Sequence, residues 1–147
     1  MKRSPELRDL SDDHHQALVL ARHARRAATA GASAVSEAWE RVRAELAQAL
    51  DPHFRIEERW LLPALARAGE GELVTRTQED HAALRSAAAP EAPRTAEALA
   101  EFAARLEGHV RFEERSLFPA AEGRLAKAEL AAVAAATGER AKPPAGR

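Results

Sequence analysis

Apolar residues recur along this chain at intervals of three and four, the spacing that lines one face of an α-helix. Trp39, Val42, Leu46 and Leu50 form one such stripe, and Phe102, Leu106 and Phe112, with His109 between the last two, another. No alternating, strand-like pattern competes with them. Ser11, followed by Asp12 and Asp13, predicts an N-cap and a first helix running to about Gly31. Ser33 or Ser36 starts a second helix, which Pro52 should kink just before His53 and which continues towards Ala68. Gly69 and Gly71 make the next turn. A third helix is expected from about Glu72 to Ala88, and Pro90 and Pro93 mark the loop after it. A fourth begins near Thr95 and ends around Pro119 or soon after. A short Ala-rich helix, about Leu125 to Ala136, stops at Thr137-Gly138 and leads into a disordered tail through Pro143-Pro144. The expected fold is all-α: an up-down-up-down four-helix bundle with a short C-terminal helix. Residues 1–9 read as an N-terminal extension, 10–122 as the bundle, and 123–147 as the final helix and tail.

Two segments on these helices nearly repeat one another. His53-Phe-Arg-Ile-Glu57-Glu58-Arg59-Trp60-Leu61-Leu62-Pro63 is echoed by His109-Val-Arg-Phe-Glu113-Glu114-Arg115-Ser-Leu117-Phe118-Pro119. A histidine and a glutamate four residues apart share one helix face, so both can reach one metal ion. The third helix adds His81, on the side of Leu84 and Ala88. The first offers two candidates. At about 100° per residue, His14 shares its side with Leu10, Ala17, Leu18, Ala21 and Ala28, and His15 shares its side with Arg22 and Arg26. His14 is the choice, with His15 kept open by its neighbours Leu18 and Val19. His23, opposite His14, should face water.

The candidate metal ligands are therefore His14, His53, Glu57, His81, His109 and Glu113. If both glutamates bridge two ions and each ion takes two histidines, each ion has four protein ligands. A bridging oxo or hydroxo group makes five and leaves an open position for a small molecule. Mixed imidazole and carboxylate sets with open positions suit iron and oxygen chemistry, although manganese or zinc can occupy the same ligands. A structural zinc site prefers closed four-coordination. The E-x-x-H pattern of ferritin-like bundles is missing, since Leu50, Gln78 and Leu106 precede the histidines by three. Glu58 and Glu114 lie about 100° further round the helix. They read as a solvated face paired with Arg55, Arg59, Arg111 or Arg115, with orientation of a ligand histidine as the lesser alternative. Asp13 reads as a capping or solubilising acid, and acceptance of a hydrogen bond from a neighbouring imidazole is the lesser alternative for Asp80. Trp39 and Trp60 read as core packing.

Composition narrows the chemistry. With 147 residues, formal net charge −1 and interspersed charges, the chain fits one domain with no nucleic-acid-binding stripe. There is no cysteine, so disulfides, thiolate sites and iron–sulfur clusters are excluded. There is no tyrosine, which removes a tyrosyl-radical mechanism. No signal peptide or membrane span is visible, and a cytoplasmic protein, monomer or homodimer, is expected.

Through Asp13-His14-His15, Asp80-His81 and the doubled H-x-x-x-E-E-x-x-L-x-P motif, the chain resembles the hemerythrin-like, or HHE cation-binding, domains from about Leu10 to Pro119. The resemblance implies a four-helix bundle around a non-heme di-iron centre, with His14 and His53 on one iron, His81 and His109 on the other, and Glu57 and Glu113 bridging. Oxygen-carrying hemerythrins have a further histidine where Arg85 stands, and end in H-x-x-x-x-D where this chain has H-x-x-x-E. Fewer histidines leave both irons open, which favours reaction with peroxide, nitric oxide or oxygen, or sensing of oxygen or iron, over simple oxygen storage. The extra N-terminal domain of the family's iron–sulfur repair proteins is not found, and the domain is expected to stand alone. Three functions follow: a protein that binds or senses oxygen, nitric oxide or iron; a di-iron enzyme reducing peroxide, oxygen or nitric oxide; or a metal module whose surface binds a partner.

Overall fold

The computed structural model describes residues 2–140, and the tail expected around Pro143-Pro144 lies outside them. The described residues form five helices and no strand. A single 3₁₀ turn, Pro5–Leu7, leads into α1, Arg8–Ala27. The α2 helix is continuous over 32–67, α3 is Gly71–Ala87, α4 is continuous over 96–124, and α5 is Lys127–Arg140. Helix α1 packs most extensively on α4, and also on α2. Helix α3 packs on α4 and on the end of α2, an arrangement consistent with an up-down-up-down bundle. Helix α5 lies across the Pro5–Leu7 turn and the middle of α2.

The helix starts follow local chemistry. Thr95 caps α4, accepting the Ala98 N–H at 3.0 Å. Gly31 (φ 103°) and Gly69 (φ 92°) supply the left-handed backbone that the turns before α2 and α3 require. Ser11 is not a cap. The helix begins earlier, at Arg8, and the Ser11 hydroxyl donates to Glu114 at 2.7 Å instead. Helix α5 is also longer than expected. Thr137 and Gly138 lie within it, and the Thr137 hydroxyl satisfies itself on the Ala134 carbonyl.

The prolines do not break their helices. A π-helical turn precedes each one: Leu46–Leu50 before Pro52, Glu57–Leu61 before Pro63, and Glu113–Leu117 before Pro119. In each turn the N–H of the residue before proline reaches back five residues, from Asp51 to Leu46, Leu62 to Glu57 and Phe118 to Glu113. A proline in an α-helix collides with the carbonyl four residues back and donates no hydrogen bond. A wider turn ahead of it relieves both problems while the helix runs on.

Two apolar clusters fill the interior. One gathers Leu20, Trp39, Val42, Phe54, Leu84, Phe102 and Leu106. The other gathers Leu7, Leu10, Leu61, Leu65, Leu117, Phe118, Leu130 and Val133, so α5 and the N-terminal turn share a core with the bundle. Trp39 is buried as expected, its indole N–H donating to the Thr95 carbonyl. Trp60 is not core. It is 39% exposed, with the Arg59 guanidinium over its ring. It lines an apolar groove of about 720 Å³ between α2 and α5.

Candidate metal centre

Between the apolar clusters lie the buried polar residues His14, His53, Glu57, His81, His109 and Glu113. These are the six residues singled out by the repeat and the helical wheels, and the structure brings all of them together. His15 is exposed and takes no part, and His23 is half-buried rather than open to water.

The six divide into two groups that share both glutamates: His14, His53, Glu57 and Glu113, and Glu57, His81, His109 and Glu113. In each group one ligand atom per residue lies within 4.8 Å of all the others. Each glutamate gives a different oxygen to each group. Glu113 Oε1 is 2.9 Å from His14 Nε2 and 3.6 Å from His53 Nε2, while its Oε2 is 3.1 Å from His109 Nε2. Glu57 Oε2 is 3.0 Å from His53 Nε2, and its Oε1 is 3.0 Å from His81 Nε2.

His14 Nε2 and Glu113 Oε1 make a hydrogen bond, but short distance alone does not make the other contacts hydrogen bonds. Both oxygens of Glu57, Glu113 Oε2, and the Nε2 atoms of His81 and His109 are buried without a hydrogen-bond partner among the described residues. Buried carboxylate oxygens and ring nitrogens left in this state cost stability, because each has lost water and gained nothing. Their lone pairs converge, and a cation would satisfy all of them. The donor set therefore fits a metal.

The outer side of each histidine is held in the same way. His53 Nδ1 donates to Asp13 at 2.9 Å, His81 Nδ1 to Glu58 at 2.7 Å, His109 Nδ1 to Asp80 at 2.9 Å, and His14 Nδ1 to Glu114 at 2.6 Å. A proton held on Nδ1 leaves the Nε2 lone pair for a cation, and such partners fix ring orientation and raise ligand basicity. The four bonds close a ring. Asp13 on α1 holds a ring on α2, Glu58 on α2 holds one on α3, Asp80 on α3 holds one on α4, and Glu114 on α4 holds one on α1. This corrects the expectation of a solvated face. Glu58 and Glu114 turn to the histidines, while Arg55 and Arg111 pair with Asp51 and Glu107. Asp13 is likewise a histidine partner rather than a cap, and Asp80 takes its lesser alternative, accepting from His109. The signal was in the sequence: each outer carboxylate directly adjoins an inner ligand, as Asp13-His14, Glu57-Glu58, Asp80-His81 and Glu113-Glu114. Phe54 stacks on His81 with centroids 4.0 Å apart, and Phe118 on His14 at 5.3 Å.

The neighbouring acids favour charge on three of the histidines. Burial opposes charge on His109, but attraction to Glu113 and the bond to Asp80 outweigh it and hold the pKa up at about 10. His53 is likewise raised, with Glu57 and Asp13 overcoming burial, and His14 is raised by Glu113 and Glu114 against the same penalty. Burial would raise Glu113, but its histidine neighbours, His109 foremost, hold it well below the usual carboxylate range.

Among the described residues, no helix is long and apolar enough to cross a membrane. Neither the curated proteins nor the solved structures contain a match to this chain. The family model described as the hemerythrin HHE cation-binding domain matches residues 6–121. The match takes in nearly all of the first four helices and all six converging residues, and with it the chain belongs to the hemerythrin HHE cation-binding domain family.

Proposed function

We propose that the protein is a non-heme di-iron protein of the hemerythrin-like type that binds or senses oxygen, nitric oxide or iron. In this reading His14 and His53 serve one ion, His81 and His109 the other, and Glu57 and Glu113 bridge them inside a four-helix bundle. The observation that carries it is the division of each buried glutamate between two histidine pairs, one oxygen to each. Two separate ions would not need shared acids, and a single ion would not need four histidines 5 Å apart in two pairs.

Iron held by two histidines and two carboxylate oxygens per ion would supply open positions for a small exogenous ligand. The protein's own residues do the rest. The outer carboxylates keep each Nδ1 proton in place and aim Nε2 inward. The flanking apolar clusters exclude bulk water. A cavity of about 10 Å³ beside the ligands is walled by His14, His53, His109, Ala17, Leu50, Phe54, Leu106 and Val110. That is room for about one water-sized molecule, which supports a diatomic or peroxide ligand over a larger substrate.

The test is anaerobic loading of the metal-free protein with iron(II), then separate exposure to oxygen, peroxide and nitric oxide under an optical spectrometer. A stable adduct that reverses on removing the gas is expected. Repeated consumption of one oxidant would replace this reading with the enzymatic one, a di-iron enzyme reducing that oxidant. Failure to take up iron would remove both.

A further inference from the structure

Each outer carboxylate of the histidine ring is itself gripped by an arginine. Arg140 Nη1 donates to Asp13 at 2.7 Å, Arg3 Nη2 to Glu114 at 3.0 Å, Arg85 Nη1 to Glu58 at 2.7 Å, and Arg76 Nε to Asp80 at 3.1 Å. The sequence His, carboxylate, arginine thus occurs four times around one centre. The four guanidinium charges neutralise the four outer carboxylates, which leaves Glu57 and Glu113 as the acids that face a cation.

The arginines come from unequal places. Arg76 and Arg85 both stand on α3, and both belong to the His81/His109 half. Each is braced within the bundle, Arg76 over the Phe112 ring and Arg85 over Phe54 and onto Asp51. Arg3 and Arg140 belong to the His14/His53 half and stand outside the four bundle helices. Arg3 lies in the segment before the first turn, where its Nη1 and the Ser4 N–H both bind Glu122. Arg140 ends α5. These outlying pieces pack on one another, with Leu7 beside Leu130 and Val133 in one cluster. Helix α5 packs on α2 and is tied to it by the Arg67–Glu129 ion pair, but it buries few side chains. Its buried residues are Leu130, Val133 and Thr137, and the 720 Å³ groove separates it from α2 along one side. Segments with few buried apolar contacts open at low cost.

We infer that Arg3 and Arg140 are positioning residues for the His14/His53 half of the centre, so that filling this half is coupled to docking of the N-terminal segment and α5, while α3 alone supports the His81/His109 half. When α5 lifts, Asp13 loses the arginine that fixes it, and His53 loses a fixed partner. The linkage is reciprocal: a cation in this half must tighten α5 by the same factor that docked α5 tightens the cation. The inference rests on the paired-ion reading of the site.

Cobalt(II) titration of the full chain, followed by its visible spectrum, tests it in two backgrounds. His81→Ala leaves the His14/His53 half, and His53→Ala leaves the other. Adding Arg140→Ala or Arg3→Ala should weaken cobalt about ten- to a hundredfold in the His81→Ala background, the usual effect of losing an outer-sphere partner, and leave the His53→Ala background unchanged. Arg140→Lys should recover part of the loss, and Arg85→Ala should show the opposite pattern. Equal weakening in both backgrounds would reduce the arginines to general structural support and overturn the inference. Hydrogen exchange of the unmutated chain gives a reading that needs no variant to fold. Amides of α5 should gain protection between the cobalt-free and the fully loaded chain, and unchanged α5 exchange would also overturn it. If the unmutated chain takes up fewer than two ions, the paired-ion reading itself has failed. If it takes up two and the arginine variants bind as tightly, this inference alone has failed.

Discussion

Glu57 and Glu113 are fully buried and lie at the meeting point of four imidazoles, so they are the residues on which the centre depends. Replacing Glu113 by Ala removes an oxygen from both halves, and metal content measured by mass spectrometry should fall from two ions to one or none. A ligand present at 100 to 1,000 times its Kd stabilises a fold by about 3–4 kcal/mol. Losing it should lower the melting temperature by about 10 °C for a chain of this size. Unchanged metal content in Glu57→Ala and Glu113→Ala would remove their bridging role. Glu58→Gln and Asp80→Asn keep shape but weaken the bond to a ring N–H, and should cost about ten- to a hundredfold in metal affinity. The inner six residues were legible because the doubled H-x-x-x-E repeat and the helical wheels mark inward positions directly. The outer four showed only as chain neighbours of inner residues, because each reaches a histidine on a different helix. A wheel places Glu58 beside Glu57 but says nothing of His81 across the interface.

Helix boundaries followed the caps and glycines closely where these acted locally, as at Thr95 and Gly31. The π turns ahead of the prolines were not legible, because the spacing of side chains does not reveal a widened turn. Two of the π turns begin on Glu57 and Glu113 themselves, so proline chemistry decides how these glutamates and their neighbours are aimed. A π turn costs stability and persists where it serves a site. Pro119→Ala permits an ordinary α turn, and an alanine is about 3 kcal/mol more favourable than proline inside a helix. We expect the metal-free variant to melt at the same or a higher temperature while binding metal more weakly. Metal affinity equal to that of the unmutated chain would show that the turn does not aim the ligands. Helix α5 outran its expected end because Thr137 and Gly138, poor in helix propensity, sit where the turn is supported by packing and by the Thr137 hydroxyl.

At the scale of the whole molecule, Glu113 and Asp80 favour a proton on His109, and a cation at the centre would have to displace it. His109, ordinarily near 6.5, is held at about 10. Its stabilising contribution is therefore complete below about 6.5 and is lost as pH rises through about 10. The metal-free protein should accordingly lose stability between those values, as followed by thermal melts across the range. Metal affinity should move the opposite way and rise with pH, because binding releases protons. Calorimetry in buffers of different ionisation heat would read that release, and a pH-independent affinity with no proton release would contradict it. The most direct measurement of the shared-glutamate centre is a manganese(II) titration of the metal-free chain followed by electron paramagnetic resonance. Two ions per chain giving the spectrum of an exchange-coupled pair is the predicted result. One ion per chain, or two with the separate signals of isolated manganese, would contradict it.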